Sequence, residues 1–323
     1  MLKIAFAGAF AGRLADPVRG YLTVPHDIVV ADEAGIISQL GDTDILVSLA
    51  FSREMGRAAR QLKLVQVPGA GIDRIDRTAL PTGTMLANAY GHEAGIAEYV
   101  IGAMLFLARG LGRLDGKLRQ GEWESQWAVG ASAPPLWPEL AGKTLGILGY
   151  GRIGQAVARR AHAFDMEVCA IRRDASRSLT DEFASVGGPK RLDDVLRQSD
   201  YLAITLSLSE HTRGLIGERE LELMKRSAVL INVARGEIIN QAALYRALAD
   251  NAIAGAALDV WYRYPTDGNA TLPGDYPFQQ LTNVLMTPHV SGWTEGMLQA
   301  RSKVIAENIA RIGSGEPLLN RIS

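Results

Sequence analysis

The chain has 323 residues, 47% of them hydrophobic, and its 34 basic and 35 acidic side chains leave a net charge of −1. This length suffices for two domains of ordinary size. The near-neutral balance, without blocks of like charge, argues against nucleic acid and membrane surfaces as partners and favours a small molecule. The single cysteine, Cys169 in an apolar run, excludes an internal disulfide and fits a reducing compartment, so we expect a cytoplasmic protein.

The first hundred residues alternate apolar runs of strand length with helical stretches, which is typical of a parallel sheet covered by helices. The predicted strands span residues 3–7, 27–31, 44–49, 64–67 and 85–87. A long helix over 96–120 follows, and its apolar run is too short for a membrane span of about 20 residues. The irregular segment 121–138 carries Trp123, Trp127 and Trp137. Because large aromatics are enriched at interfaces, we predict a subunit contact there, with a local cover on the core as the alternative.

Residues 145–154 are the most informative segment, because an apolar run enters Gly-x-Gly-x-x-Gly and then a helix-forming sequence. Gly149 permits a tight turn, Gly151 lets the backbone approach a pyrophosphate, and Gly154 permits close packing of the helix on the strand. The N–H groups and the positive dipole end of that helix then face the phosphates. We therefore predict a dinucleotide site here.

The type of dinucleotide is decided after the next predicted strand, 167–171. An Asp or Glu in this place would bind the ribose 2′-hydroxyl of NAD, but the chain has Arg172 and Arg173, with Arg177 close behind. Guanidinium groups form bidentate, charge-assisted hydrogen bonds with a 2′-phosphate. NADP(H) is therefore favoured over NAD(H), against the alternative of a basic turn in which Asp174 pairs with an arginine.

Residues that can bind a substrate or transfer a proton follow several of the predicted strands. The later predicted strands span residues 201–206, 228–232, 255–259 and 284–287. Arg235 follows the second of these and can hold a keto acid by its carboxylate and carbonyl oxygens, unless it pairs with Glu237. His289 follows the last, and an ordinary imidazole pKa of about 6.5 suits proton transfer near neutral pH. In the first half, Ala70 and Gly71 lie in a loop of small residues whose N–H groups can bind a carboxylate.

Together these segments resemble the D-isomer-specific 2-hydroxyacid dehydrogenases in order and spacing, over almost the whole chain. The matching segments are residues 69–73, 97–99, 149–154, 212–216, 232–236, 258–260 and 287–289. The resemblance implies an α/β protein in which a Rossmann dinucleotide domain, residues 98–288, is inserted into a flavodoxin-like substrate domain with a parallel sheet, residues 1–97 and 289–323. It also implies a homodimer formed through the cofactor domains.

The resemblance also implies roles for individual residues. Arg235 would orient a keto acid, His289 would exchange the proton on its oxygen, and Asp259 would hold the nicotinamide carboxamide. The N–H groups of Ala70 and Gly71 would bind the substrate carboxylate. The full set of predicted cofactor-binding residues is Gly149, Gly151, Arg152, Ile153, Gly154, Arg172, Arg173, Arg177, Ala234 and Asp259. No metal ion is expected.

One position departs from the family pattern. Relatives usually carry a Glu just before the proline that follows the Leu-Asp-Val segment, and that Glu orients and charges the histidine; this chain has Tyr264 there. A phenol is neutral near pH 7, so it can hydrogen-bond an imidazole without stabilising the imidazolium as a carboxylate does. Glu93 is the favoured substitute carboxylate. Glu295 is the second, although a first-turn helix charge is the more ordinary reading of that residue.

We therefore predict an NADPH-preferring reductase that converts a small 2-keto acid into a D-2-hydroxy acid, of the glyoxylate or hydroxypyruvate reductase type. Phe51 at a strand end and Trp293 after the histidine are predicted to line an apolar substrate pocket, with a core role as the alternative for Trp293. No basic cluster marks the substrate loops, so a keto acid with an uncharged side chain is expected. Two other functions stay open: a nucleotide-sensing binding protein with vestigial catalysis, and a dehydrogenase of a small anion such as formate or phosphite.

Overall fold

The computed structural model describes residues 1–130, 134–174, 181–266 and 268–322. The chain divides into two compact units, Met1–His92 with Trp293–Ser323, and Glu93–Gly292. The predicted domain boundary after residue 97 falls inside the helix Glu93–Arg109, because this helix packs as a whole on the core of the second unit. The predicted boundary before residue 289 also differs from this division, since His289 belongs to the second unit.

The bounds of the regular elements are as follows. The strands are β1 Leu2–Ala7, β2 His26–Ala31, β3 Ile45–Ser48, β4 Leu64–Gln66, β5 Met85–Ala87, β6 Thr144–Leu148, β7 Glu167–Ile171, β8 Ser185–Gly187, β9 Tyr201–Ile204, β10 Val229–Asn232, β11 Gly255–Leu258, β12 Val284–Met286 and β13 Arg321–Ile322. The α-helices are α1 Ala9–Arg19, α2 Arg53–Ala58, α3 Glu93–Arg109, α4 Leu111–Arg119, α5 Arg152–His162, α6 Leu192–Gln198, α7 Glu218–Leu223, α8 Gln241–Ala249 and α9 Glu295–Ser314.

The first unit has a sheet in the order β13-β5-β4-β3-β1-β2. Strands β1 to β5 are parallel and follow the order 2-1-3-4-5 of flavodoxin-like folds, and β13 pairs antiparallel with β5. Helices α1 and α9 cover one face, where Leu14, Val18, Ile305 and Ile309 are buried in one apolar cluster. A second apolar cluster, which includes Leu46 of β3, covers the other face. Burial on both faces explains why β3 is a continuous apolar run.

The second unit has a wholly parallel sheet in the order β12-β11-β10-β9-β6-β7-β8. This is the doubly wound order of dinucleotide-binding folds, and the winding reverses between β6 and β9, where the carboxyl ends of the strands border a crevice. Helices α3 and α5 bury their apolar faces on one side of the sheet, and α6, α7 and α8 do so on the other. The predicted α/β class, with a Rossmann domain and a flavodoxin-like domain, is confirmed.

The prediction of one helix over 96–120 is wrong. The chain forms two helices there, α3 and α4, which meet at an angle of 59°. Gly110 separates them in the left-handed conformation, with φ of 58°, and a Cβ on it would lie 3.3 Å from the ring of Trp137. The left-handed backbone at the break thus favours a glycine, and the Trp137 ring leaves little room for a side chain there. Strands β8 and β13 were not predicted, because their sequences, Ser-Val-Gly and Arg-Ile, form no continuous apolar run.

Within the described ranges, no single helix is long and apolar enough to cross a membrane. The bent pair of α3 and α4 reaches the required length and composition only when the two are taken together. Much of α3 is buried in the core of the second unit, which accounts for its apolar composition.

Candidate active site

The glycine-rich loop connects β6 to α5. Gly149 has φ of 106°, and its N–H and that of Tyr150 donate to the carbonyl of Ile171 at 3.0 and 2.8 Å. A Cβ on Gly154 would lie 2.7 Å from the Gly149 carbonyl oxygen, so only glycine lets the helix come this close. A Cβ on Gly151 would meet nothing within 4 Å, and no side chain caps the helix start. Gly151 therefore borders open space at a helix N-terminus, which fits a dinucleotide pyrophosphate.

Arg172 and Arg173 directly follow Ile171, whose carbonyl receives the two bonds from the glycine-rich loop. They are therefore placed beside that loop. Among the described residues, neither guanidinium forms an ion pair or a side-chain hydrogen bond, so the alternative of a pair with Asp174 is not realised there. Arg177 lies outside the described residues. Two guanidinium groups are thus available to an anionic ligand next to the loop.

Arg235 lies in a loop that the buried side chain of Asn232 shapes. The Asn232 amide donates to the carbonyl of Arg235 at 2.9 Å, and its oxygen accepts from the N–H of Ala234 at 3.1 Å. The Arg235 guanidinium donates to the carbonyl of Ala234 at 2.7 Å. Glu237, the alternative partner predicted for Arg235, forms an ion pair with Arg213 at 3.6 Å. The loop is therefore held by its own backbone and by the last residue of β10.

Trp261 joins the loops that follow three adjacent strands. A Cβ on Gly236 would lie 2.5 Å from the Trp261 carbonyl oxygen, so the Arg235 loop packs directly on this residue. The Trp261 indole N–H donates to the carbonyl of Thr287 at 2.8 Å, and its backbone N–H donates to the Tyr264 hydroxyl at 3.2 Å. Trp261 was not predicted from the sequence, although it lies three residues after a buried strand.

His289 follows β12 and has φ of 59°, a left-handed conformation that is uncommon for residues other than glycine. Its Nδ1 lies 3.0 Å from the hydroxyl oxygen of Tyr264. Burial raises the pKa of the Tyr264 hydroxyl above its usual value, although the hydrogen bond from Trp261 and the charge of Arg235 act against this. The phenol is thus neutral near pH 7, and the imidazole has an uncharged partner at Nδ1.

Asp259 is wholly buried and holds the segment on both sides of His289. Its carboxylate accepts from the Thr287 hydroxyl at 2.6 Å and from the backbone N–H groups of the two residues after His289, each at 2.8 Å. The Tyr99 hydroxyl donates to that of Thr287 at 2.7 Å, and burial raises the pKa of Tyr99 to about 12. Roles for Tyr99 and Thr287 were not predicted from the sequence, because only the fold brings them to Asp259.

The loop with Ala70 and Gly71 follows β4 in the first unit. The Asn88 amide donates to the carbonyl of Ala70 at 2.9 Å, and the N–H of Ala89 donates to the carbonyl of Gly69 at 3.1 Å. No acceptor within the described part of the chain meets the N–H groups of Ala70 or Gly71. The loop thus has a fixed backbone with two adjacent donors available to a carboxylate.

The two predicted pocket residues lie in different surroundings in the first unit. Phe51 is 1% exposed, belongs to the core and forms a β-bridge with Ile75. Trp293 is 43% exposed, its ring centroid lies 5.6 Å from that of Phe10, and the Arg13 guanidinium lies 5.5 Å from its ring. Trp293 therefore keeps an accessible ring face, whereas Phe51 supports the fold from inside.

The two candidate carboxylates each begin a helix. Glu93 is the first residue of α3 and belongs to the same unit as His289. Glu295 is the first residue of α9, and the Thr294 side chain caps that helix by accepting from the N–H of Met297 at 3.2 Å. Glu295 thus occupies the first-turn position in which a negative charge favours the helix dipole.

The second unit brings Arg235, Asp259, Tyr264 and His289 to the carboxyl ends of three adjacent parallel strands, β10, β11 and β12. The glycine-rich loop follows β6 in the same sheet. Among the described residues, no group of three or more His, Cys, Asp or Glu side chains could hold a metal ion. This edge of the sheet therefore combines a glycine-rich loop suited to a dinucleotide with the guanidinium of Arg235 and the imidazole of His289.

The sequence profile described as "D-isomer specific 2-hydroxyacid dehydrogenase, NAD binding domain" matches residues 101–291. The chain belongs to this family. It is 34% identical to the glyoxylate reductase of Korarchaeum cryptofilum, covering 87% of this chain and 83% of the relative. It is also 34% identical to the D-3-phosphoglycerate dehydrogenase of Methanocaldococcus jannaschii over 87% of this chain, but spans about half (52%) of that relative's length.

A solved structure agrees with this assignment. A D-isomer specific 2-hydroxyacid dehydrogenase from Xanthobacter autotrophicus Py2, in complex with NADPH and MES, superposes with a TM-score of 0.81 at 26% identity, covering 100% of this chain and 98% of that chain. The predicted family and the predicted class of NAD(P)-dependent oxidoreductase are confirmed. The second unit is the NAD(P)-binding domain, and its glycine-rich loop has the shape that such a cofactor requires.

Proposed function

We propose that this protein reduces a small 2-keto acid to a D-2-hydroxy acid with NADPH. The observation that carries the proposal is the placement of Arg235 and His289 after β10 and β12, at the sheet edge that also holds the glycine-rich loop. Relatives named glyoxylate reductase support a small keto acid as the substrate class.

In this reaction, bound NADPH supplies the hydride that reduces the carbonyl carbon. Arg235 holds the substrate carboxylate and carbonyl oxygen by charge-assisted hydrogen bonds and stabilises the negative charge that develops on that oxygen. His289 donates a proton to the same oxygen. Because Nδ1 faces Tyr264, Nε2 is the nitrogen that serves the substrate. The N–H groups of Ala70 and Gly71 bind the carboxylate in this proposal.

Tyr264 positions the imidazole in both of its charge states. One lone pair of its hydroxyl oxygen receives the N–H of Trp261, and the other accepts Nδ1–H of His289. The same bond persists after Nε2 has given up its proton, so the ring keeps its orientation through the reaction. Because the phenol is uncharged, it stabilises the imidazolium only by a neutral hydrogen bond and adds no attraction of opposite charge.

NADPH is proposed over NADH because of Arg172 and Arg173. Both side chains follow β7 beside the glycine-rich loop, and neither is paired with another described side chain. No carboxylate occupies the position that would bind a ribose 2′-hydroxyl. The bound NADPH of the Xanthobacter autotrophicus relative is consistent with this choice.

The test is a substrate panel in which NADPH oxidation is followed by absorbance. It contains glyoxylate, hydroxypyruvate, pyruvate, phenylpyruvate and phosphohydroxypyruvate, with His289→Gln as the inactive control that still binds NADPH. We expect turnover of at least one keto acid with an uncharged side chain, in preference to phosphohydroxypyruvate. A clear preference for phosphohydroxypyruvate would contradict the proposed substrate class. Arg13, which lies beside Trp293, would then be the first residue to test for binding of the substrate phosphate.

The same assay separates two alternative functions. Tyr264 in place of a carboxylate favours a nucleotide-sensing protein with vestigial catalysis, for which NADPH would bind tightly but no keto acid would be turned over. A small-anion dehydrogenase would instead reduce NADP⁺ with formate or phosphite. Retention of both Arg235 and His289 favours an enzyme over the nucleotide-sensing protein, and the substrate that is turned over separates the two enzymes.

We also propose that the segment 121–138 forms a contact in a homodimer. The side chains of Trp123, Trp127 and Leu136 are 61%, 86% and 101% exposed, which is unusual for large apolar groups. Trp137 instead packs beside Arg113, whose guanidinium lies 5.6 Å from its ring. Sedimentation should give a native dimer and a monomeric Trp123→Ser/Trp127→Ser variant; a native monomer at micromolar concentration would refute this interface.

A further inference from the structure

A pocket of about 620 Å³ opens in the first unit, away from the loop that carries Ala70 and Gly71. Its walls include Lys63 and Gly83, which precede β4 and β5, and Gly315, which follows α9. Because β4 and β5 are parallel, these residues lie at the amino-terminal edge of the sheet, whereas the Ala70 loop follows the carboxyl end of β4. The pocket is thus separate from the proposed active-site residues of the same unit.

The pocket is strongly basic. Four cationic side chains line it, Arg60, Lys63, Arg311 and Arg321, against one acidic residue, Glu316. Lys63 is paired with Asp44 at 2.9 Å, and Arg311 with Glu307 at 2.8 Å. By contrast, the guanidinium groups of Arg60 and Arg321 form no ion pair with any described residue. Two uncompensated charges therefore face one cavity.

Much of the remaining lining is apolar. The side chains of Leu62, Met85, Ile312 and Leu318 contribute to the walls. The volume lies within the range of about 300–1,000 Å³ that small-molecule sites occupy, and such sites combine apolar walls with a few charged groups. Guanidinium groups suit phosphate and carboxylate because they bind these groups through two parallel hydrogen bonds. The lining is therefore suited to a carbon skeleton that carries more than one acidic group.

We propose that this pocket binds a small organic anion with two phosphate or carboxylate groups, held by Arg60 and Arg321. The site is independent of the keto acid chemistry proposed above, because none of its residues belongs to that machinery. Lys63 and Arg311, although already paired, add to the positive potential that attracts the ligand.

Isothermal titration calorimetry on the full chain, in 150 mM NaCl, tests the proposal with two probes, fructose 1,6-bisphosphate and isophthalate. We expect at least one to bind with a Kd below about 1 mM, and Arg60→Gln or Arg321→Gln to weaken it tenfold or more, as the loss of a charge-assisted hydrogen bond does. The matched control is Arg57→Gln, which removes an exposed guanidinium of the same unit outside the pocket and should leave the Kd unchanged.

A second control separates this site from the proposed active site. Arg235→Gln should abolish keto acid reduction but keep probe binding, since Arg235 belongs to the other unit. Loss of probe binding in Arg235→Gln, equal weakening in Arg57→Gln, or no binding of either probe to the native protein would each overturn the proposal. Circular dichroism of each variant checks that the fold is retained. If Arg321→Gln is unfolded, Arg60→Gln, which alters an exposed loop residue, is sufficient to test the proposal.

Discussion

The uncharged partner of His289 predicts an unusual pH dependence. Reduction needs the protonated imidazole, so its rate falls as pH rises through the range where His289 loses its proton. Tyr264 stays neutral in that range because burial raises its pKa further above the ordinary value of about 10. Because Tyr264 adds no charge beside Nδ1, we expect the falling limb of kcat/KM at a lower pH than in a variant with a carboxylate at this position.

Tyr264→Glu should move this limb to higher pH. The Nδ1 of His289 lies 3.0 Å from the Tyr264 oxygen, and the shorter Glu side chain places a charge at about 4 Å. At an effective dielectric constant of about 20, the attraction is about 4 kcal/mol, which corresponds to about 3 pH units. Because Tyr264 is 43% exposed, solvent screening reduces the effect, and we expect a rise of about 1–2 units.

The assay is the pH profile of keto acid reduction between pH 5 and 10, at saturating NADPH, for the native protein and its variants. Tyr264→Phe is the matched control: it keeps the ring and removes the hydroxyl, so kcat should fall while the limb stays in place. A native limb already above pH 8 would refute the neutral-partner argument and indicate a carboxylate such as Glu93. Glu93→Gln should then lower the limb, which it should not do otherwise.

Three further predictions concern cofactor binding and the frame of the site. Replacing Arg172 and Arg173 together by Ala should weaken NADPH binding by about 1.5–3 kcal/mol for each lost bond to the 2′-phosphate and leave NADH binding unchanged; equal losses in fluorescence titrations would contradict the assignment. Gly151→Ala should leave the melting temperature unchanged but weaken both cofactors, since its Cβ enters open space, whereas Gly154→Ala should lower the melting temperature because its Cβ lies 2.7 Å from a carbonyl oxygen. Thr287→Val should lower the free energy of unfolding by about 1–3 kcal/mol and reduce kcat, because the part-buried hydroxyl bonds both Tyr99 and Asp259; unchanged urea denaturation would argue against this network.

The fold was predictable because its signals are local. Each strand of the second unit except β8 is a short apolar run in the sequence, and the glycine spacing at 149–154 predicts a specific backbone geometry. The break at Gly110 was not predictable in the same way. A single glycine is tolerated inside many helices, and only the structure shows that this one adopts the left-handed conformation that separates α3 from α4.

The site was predictable only for residues that stand next to strand ends. Arg235 and His289 were visible because each directly follows an apolar run, and Tyr264 because it replaces the residue that the family pattern requires. The Tyr99–Thr287 hydrogen bond joins residues 188 positions apart, and no spacing or composition indicates such a pair. Trp261 was missed for a related reason, since a large aromatic after a strand is most often a plain core residue.

The hydrogen bonds of Asp259 account for the left-handed backbone conformation at His289. A left-handed conformation at a residue other than glycine costs about 1–2 kcal/mol and persists only where its surroundings enforce it. Asp259 enforces it through charge-assisted bonds to the two N–H groups after His289 and to the Thr287 hydroxyl before it. These bonds use three of about four acceptor positions on a carboxylate that is 0% exposed, so its observed capacity is spent on the backbone around His289. Asp259 therefore holds the histidine in its strained conformation, and the nicotinamide role that the family resemblance implies stays a prediction.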